Sequence, residues 1–244
     1  MRIIFVSSLV MITSACTTVS TSEQFSFDGI STVSVDIDKG TVDYRGSQTA
    51  SSVDVDITSW ANAGGQAKAE QKQSENVYSA STEGGVLNVR GNTAYVQAGI
   101  DVLVDGPDFM DLDLSSRSGS VIVQDVIGIS QLSGYSVTAR NYEGDLTVSA
   151  DSSVNVEVYP YEMGLISIQS TSGDCVVRLP TYAPLAVTIE FDPEQESSFA
   201  DLGFDDEFLD NGTYIASRHP ADISVTIRCP NGQVELLEHS MLTW

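Results

Sequence analysis

The sequence predicts an all-β protein, a β-helix-like solenoid of stacked strand-turn-strand rungs, with an antiparallel β-sandwich as the alternative. Three observations carry this. A fixed spacing recurs along the chain: apolar residues at positions 0 and +2, Ser or Asn at +6, Gly at +7, and apolar residues again at +9 and +11. Alternation at period two turns one face of a strand inward. A Gly between two such runs accepts positive φ where the chain turns, while Ser or Asn bonds the turn backbone. Finally, helix-forming composition is confined to residues 67–73 (AKAEQKQ), inside a polar segment, 61–75, that reads as a loop.

From the N-terminus, Met1 and Arg2 make a minimal positive start, and residues 3–12 (IIFVSSLVMI) form an apolar run. That run is about half the roughly 20 residues that a membrane-spanning helix needs. Thr13, Ser14 and Ala15 then place small residues before Cys16, so residues 1–15 read as a signal peptide. The tetrad resembles the bacterial lipobox, in which the cysteine thiol is acylated and becomes the new N-terminus, although Thr13 stands where Leu is usual. An ordinary secretory cut that leaves Cys16 a thiol, or an N-terminal β-strand, are the alternatives. By the same resemblance, Thr17 after the cysteine favours the outer over the inner membrane. Residues 16–26 are expected as a lipidated tether, small and polar at 17–24 (TTVSTSEQ), and residues 27–244 as a single β-repeat domain.

Three copies of the repeat are clear. They are Leu112, Leu114, Ser118, Gly119, Val121, Val123; then Ile166, Ile168, Ser172, Gly173, Cys175, Val177; then Val225, Ile227, Asn231, Gly232, Val234, Leu236. A fourth, Val33, Val35, Lys39, Gly40, Val42, Tyr44, has Lys in the Ser position. Weaker copies start at Ile127 (Ile129, Ser133, Gly134) and at Leu146 (Val148, Ser152, Ser153). In both the second apolar run is displaced by one residue, a shift that a bulge or longer corner would absorb. Tyr78, Ala80, Gly84, Gly85, Leu87, Val89 is a seventh. Starts at 112, 127, 146 and 166 are spaced like coils of a β-solenoid, whose stacked rungs bury one continuous apolar column.

One acidic insertion, at about 190–212, breaks the repeat. Its core, 190–210 (EFDPEQESSFADLGFDDEFLD), holds nine carboxylates, no basic residue and four phenylalanines. Asp205, Asp206, Glu207 and Asp210 are calcium candidates by ligand type, because hard oxygen donors suit that ion, though their spacing follows no EF-hand. The plainer reading is a solvated insertion whose Phe191, Phe199, Phe204 and Phe208 pack on or cap the β-core.

Composition fits a folded protein: 41% hydrophobic and 8% aromatic over 244 residues, with a formal charge of −23. Loss of residues 1–15 would remove Arg2 and no acid, leaving 10 basic against 34 acidic residues. Nucleic acid and anionic lipid both attract clusters of Lys and Arg, and the sequence has none, so nucleic acid is excluded as a partner. Any membrane attachment is therefore expected through lipid on Cys16.

The stretch 100–180, with IDVLVDGPDFMDLDLSSRSGSVIVQDV, GYSVTARNYEGDLTVSADSSVNV and SGDCVVRLP, resembles the bacterial envelope β-strand-repeat domains named as adhesins, and VTIRCPNGQVELLE fits too. The resemblance covers most of residues 27–238, but it rests on turn and core residues. It implies a stacked β-helix-like fold and a family function that is itself only presumed.

Little of the sequence carries chemistry. After lipidation two cysteines remain, Cys175 at +9 and Cys229 at +4 of their copies, both with inward parity; they are a candidate disulfide, or else two buried thiols acting as small apolar residues. His219 and His239 fall in no metal-ligand spacing and read as surface residues. Arg117 and Arg140 with Asp125 and Asp145 are the charged set to inspect for a glycan-cleaving face, since many β-solenoids are such enzymes. No nucleophile elbow, phosphate loop, dinucleotide fingerprint or zinc motif occurs, and no cofactor is implied. The expectation is a non-enzymatic envelope lipoprotein whose rigid acidic surface serves adhesion, scaffolding or partner binding to an envelope or extracellular protein or glycan. A glycan-acting enzyme and an envelope sensory or regulatory protein are the alternatives.

Overall fold

Period-two alternation becomes strand almost throughout. The computed structural model, which describes residues 6–13 as backbone together with residues 16–159 and 164–239, is all-β with a single short helix among those residues. No helix among them is long and apolar enough to cross a membrane. The chain divides into two units, Met1–Ile122 and Val123–Trp244.

In the first unit β1 (Val6–Thr13) pairs antiparallel with β2 (Cys16–Asp28). Strand β2 in turn pairs with β5 (Ser52–Ala63) from Thr17 opposite Ala63 to Asp28 opposite Ser52. Residues 16–26, expected as a tether, lie within β2. Val19, Phe25 and Phe27 share one face of the strand and are buried, while Ser20, Ser22, Gln24 and Ser26 take the other face. β8 (Ala98–Pro107) continues that antiparallel sheet beside β5 and runs parallel to β4 (Val42–Ser47).

Residues 61–75 are not a loop. Ala61 and Ala63 belong to β5, and Gln66–Ser74 form the helix α1. Nine residues are too few for a helix to be stable alone. Ala69 is fully buried against Val19 and Ala63, and Lys72 donates to the Asn62 carbonyl and to Gln97 Oε1, so packing supplies what the isolated segment lacks.

The copy at Tyr78 is a hairpin. β6 (Val77–Glu83) and β7 (Val86–Asn92) pair antiparallel across Gly84 and Gly85, whose φ values of 59° and 83° are those a tight two-residue turn requires. β3 (Thr32–Ile37) then runs parallel to β7 and to the start of β9 (Asp111–Tyr159), placing Val33 and Val35 opposite Leu87 and Val89 on one side and Leu112 and Leu114 on the other.

In the second unit the repeat frame and the strand register coincide. β10 (Leu165–Ser170) lies parallel between β9 and β16 (Ile223–Cys229), and Ile166 and Ile168 sit opposite Leu146 and Val148, and opposite Val225 and Ile227. β11 (Cys175–Leu179) lies the same way between β9 and β17 (Val234–Glu238), with Cys175 and Val177 opposite Val154 and Val156, and opposite Val234 and Leu236. The column grows through β12 (Leu185–Phe191), parallel to β16, to β15 (Thr213–Ser217), antiparallel to β12. Leu146, Ile166, Val225, Val187 and Ala216 form one buried row; Val148, Ile168, Ile227, Ile189 and Tyr214 form the next. Each Val or Ile buried this way contributes about 1.5–3 kcal/mol.

Two departures from the predicted frame have local causes. The copy at Leu146 was expected to need a longer corner. The register shows a shorter one, since Ile166 matches Leu146 while Cys175 matches Val154, one residue fewer from strand to strand. The copy at Ile127 is out of frame: Ile129 is 59% exposed while Val126, Ser130 and Leu132 are buried. Asp125 and Asn141, at φ 56° and 48°, insert left-handed residues that flip the inward parity before and after this rung.

Candidate functional site

The turn glycines answer to stacking more than to φ. Among Gly40, Gly119, Gly173 and Gly232 only Gly40 has positive φ, at 131°. A Cβ on Gly119 would strike the Gly40 carbonyl, one on Gly173 the Ser152 carbonyl, and one on Gly232 the Gly173 carbonyl. Glycine is needed because the backbone of the neighbouring copy passes where a side chain would stand. Gly134 is buried within β9. Polar side chains complete these corners: Ser116 Oγ donates to the Gly40 carbonyl at 2.7 Å, Ser170 Oγ to the Ser152 carbonyl at 2.8 Å, and Asn231 Nδ2 to the Thr171 carbonyl at 2.8 Å.

Cys175 and Cys229 are fully buried, unbonded thiols at the same corner. The Cys229 thiol donates to the Gly173 carbonyl at 2.9 Å, and Cys175 N–H to the Gln233 carbonyl at 2.9 Å. The hydrogen bond shared with Cys229, and then burial, hold the Cys175 thiol above its ordinary range. Cys16 stands exposed at the start of β2.

Three of the four residues in the charged set chosen for a cleaving face have structural partners. Arg117 pairs with Asp38 at 3.2 Å; Asp125 accepts from Asn141 Nδ2 at 2.7 Å; Asp145 accepts from the Leu165 N–H at 2.8 Å; Arg140 stands exposed on β9. His239, expected at the surface, is buried: its ring packs on Tyr159 with centroids 4.0 Å apart, its Nδ1 lies 2.9 Å from the Tyr159 hydroxyl, and its Nε2 pairs with Glu157. His219 is exposed, with its N–H on Asp205 and Nε2 3.3 Å from Asp206.

The acidic insertion leaves adjacent apolar side chains without cover. β13 (Ser198–Phe199) lies parallel to β17, and β14 (Asp206–Asp210) pairs antiparallel with β15. Phe191 and Phe199 meet edge to face at 5.4 Å, and Phe199 stacks on Tyr214 at 4.4 Å, so half of the predicted aromatic cap exists. Phe204 instead lies against the Arg218 guanidinium, 5.3 Å from its ring. Phe208 projects into solvent.

β14 prolongs the rows of the column beyond the core, with Glu207 opposite Ala216 and Leu209 opposite Tyr214. Among the described residues nothing covers that face, and Leu209 is 61% exposed. On the other face Phe208 lies opposite Ile215, and both are exposed as well. An open groove of about 380 Å³ runs between Phe199–Ala200 and Leu209, with Asp201 and Glu207 at its rim. The Tyr214 hydroxyl donates to Glu207 at 3.2 Å; burial, and then that carboxylate, push the Tyr214 phenol above its usual range.

The calcium candidates do not converge. Asp206 and Asp210 share one face of β14, Glu207 takes the other, and Asp205 receives the His219 N–H. Among the described residues no three His, Cys, Asp or Glu side chains are grouped to hold a metal ion. The exposed edge strand went unseen in the sequence. Its signal was there in Phe208 and Leu209, two adjacent apolar residues inside an acidic run, which a strand must send to opposite faces.

No family model and no curated protein matches the chain. Among solved structures, a chain from Clostridium sporogenes, provisionally named a cell adhesion protein, is similar at 11% identity over 90% of this chain and 100% of that one, with a TM-score of 0.50. Two chains from Parabacteroides distasonis are also similar. One, provisionally named an adhesin, matches at 12% identity over 65% of this chain and 78% of its own, with a TM-score of 0.31. The other, provisionally named a lipid binding protein, matches at 12% identity over 89% and 96%, with a TM-score of 0.35. At such identities the first likeness is one of fold.

Proposed function

We propose that this chain is a non-enzymatic binding protein of the bacterial envelope, anchored through lipid on Cys16, whose rigid β-repeat units present an acidic surface to a partner protein or glycan. One observation carries the reading. Most repeat residues are consumed by stacking, and the acidic insertion together with β15, the strand it pairs with, leaves Phe208, Leu209 and Ile215 in solvent on one hairpin. Adjoining exposed apolar side chains, as Phe208 and Ile215 are here, mark interaction sites where they form a contiguous patch. The parallel ladders support a solenoid-like stack within each unit, the lipobox-like tetrad supports export and lipid anchoring, and Thr17 after it supports the outer membrane. Adhesion, in the provisional name of the Clostridium sporogenes chain of similar fold, points the same way.

The test is capture from envelope material on the acylated protein. Retention of a defined protein or glycan, recovered unaltered, supports the reading. Recovery of a glycan that the protein has shortened overturns it in favour of an enzyme.

A further inference from the structure

We propose that the outer edge of β14 is a strand-addition site for an extended basic segment of a partner protein. The proposal rests on the partner-binding reading above and gives it a place. β14 pairs along one side with β15, and no ladder runs along its other side among the described residues. An open edge of this kind is a template for another chain, and folded proteins blunt theirs with Pro, Lys or bulges. The sequence of β14, DEFLD, contains neither Pro nor Lys, and all five residues are exposed.

The side chains define the occupant. Asp206, Glu207 and Asp210 supply three carboxylates, and no basic residue occurs from 190 to 210. A second copy of the chain is disfavoured. Symmetric antiparallel pairing about Phe208 would set Asp206 of each copy against Asp210 of the other, and like charges directly opposite destabilise a sheet. A segment with Lys or Arg opposite the three acids turns that repulsion into attraction. Opposite Phe208 and Leu209 the complement is apolar, with Leu209 and the groove beside Phe199 forming the seat on the inner face. The segment that fits an antiparallel addition therefore reads basic, apolar, apolar, basic, basic. Backbone hydrogen bonds would supply affinity and these side chains selectivity.

The probe is a labelled peptide carrying Lys-Val-Val-Lys-Lys, titrated against the full chain at about 0.15 M salt, where surface charges more than about 8 Å apart are largely screened. Two further peptides carry N-methyl groups on one or the other alternate set of backbone amides. An added strand uses only one edge, so one methylated set abolishes binding and the other is tolerated. Phe208→Ser with Leu209→Ser, at solvent-exposed positions, weakens binding at least about tenfold, as loss of an anchoring pair does. Equal response to both methylated sets, or no loss in the double variant, overturns the site. So does a sedimenting dimer that the double variant dissolves, because the occupant is then a second copy. If the peptide fails while the chain still retains an envelope partner through other residues, this site falls and the binding function stands. If the chain retains nothing at all, the function falls as well.

Discussion

Gly173→Ala tests the physical reason for the repeat. The residue has no positive φ, so a methyl group adds no backbone strain of that kind. Its Cβ would instead lie far inside the 3.0 Å that real Cβ contacts keep, against the carbonyl oxygen of Ser152. The obstacle is backbone and cannot rotate away, so the two copies must part locally. Backbone bonds that join the two copies beside the contact are Thr171 N–H to the Ala150 carbonyl at 2.9 Å and Ser172 N–H to the Asp151 carbonyl at 3.1 Å. Losing both costs about 1–3 kcal/mol, and overpacking a close-packed site costs about 1–3 kcal/mol in its own right. We expect about 3 kcal/mol of destabilisation in urea unfolding, and a melting temperature lower by about 6–12 °C at 2–4 °C per kcal/mol for a chain of this size. Gly64→Ala, where no atom lies within 4 Å, is the control and should stay within about 0.5 kcal/mol. A Gly173→Ala protein as stable as the control would refute the stacking argument.

Three other outcomes follow from the same geometry. Ile168→Ala, buried between Val148 and Ile227, should cost about 2–5 kcal/mol, whereas Ile129→Ala, which shares its repeat position but faces solvent, should cost under about 0.5 kcal/mol; equal losses would contradict the parity shift at Asp125. Burial raises the Asp101 carboxyl against the opposing hydrogen bonds from the Thr41 N–H and from Trp60, so the folded state holds that proton more tightly than the unfolded chain does. Its contribution is present at low pH and fades as pH climbs from the ordinary carboxylate range through the raised value. Asp101→Asn should accordingly remove one falling component of stability as pH rises above the ordinary carboxylate range, seen as a flatter unfolding free energy against pH; an unchanged slope would refute it. With both thiols fully buried, a charged alkylating reagent should leave Cys175 and Cys229 unmodified in the native reduced protein and label both in denaturant, read by mass; rapid native labelling would contradict the packing.

The interior of the second unit was legible because its signal is simple: Ile166, Ile168, Val225 and Ile227 repeat at one spacing, and the register follows that spacing. Gly119, Gly173 and Gly232 were legible as corner residues, but the reason for them was not. Turn conformation and close approach both call for Gly, and only the position of the neighbouring carbonyl separates the two. Asp125 and Asn141 hid the rung at Ile127, since nothing in an Asx residue announces that it will take the left-handed conformation it merely tolerates. The helix at Gln66–Ser74 depends on Val19 and Ala63, and the burial of His239 on Tyr159, 80 residues away. Such partners cannot be read from a local window. Strand β14 was obscured by its own charge, because an acidic run reads as solvated loop until its pairing with β15 is known.

Capture from envelope material on the acylated wild-type protein, run beside the protein carrying Phe208→Ser and Leu209→Ser, tests the central claim most directly. The wild type should retain a defined partner, release it chemically unaltered, and lose it in the double variant. Empty capture by the wild type, or recovery of a glycan that it has shortened, would contradict the claim.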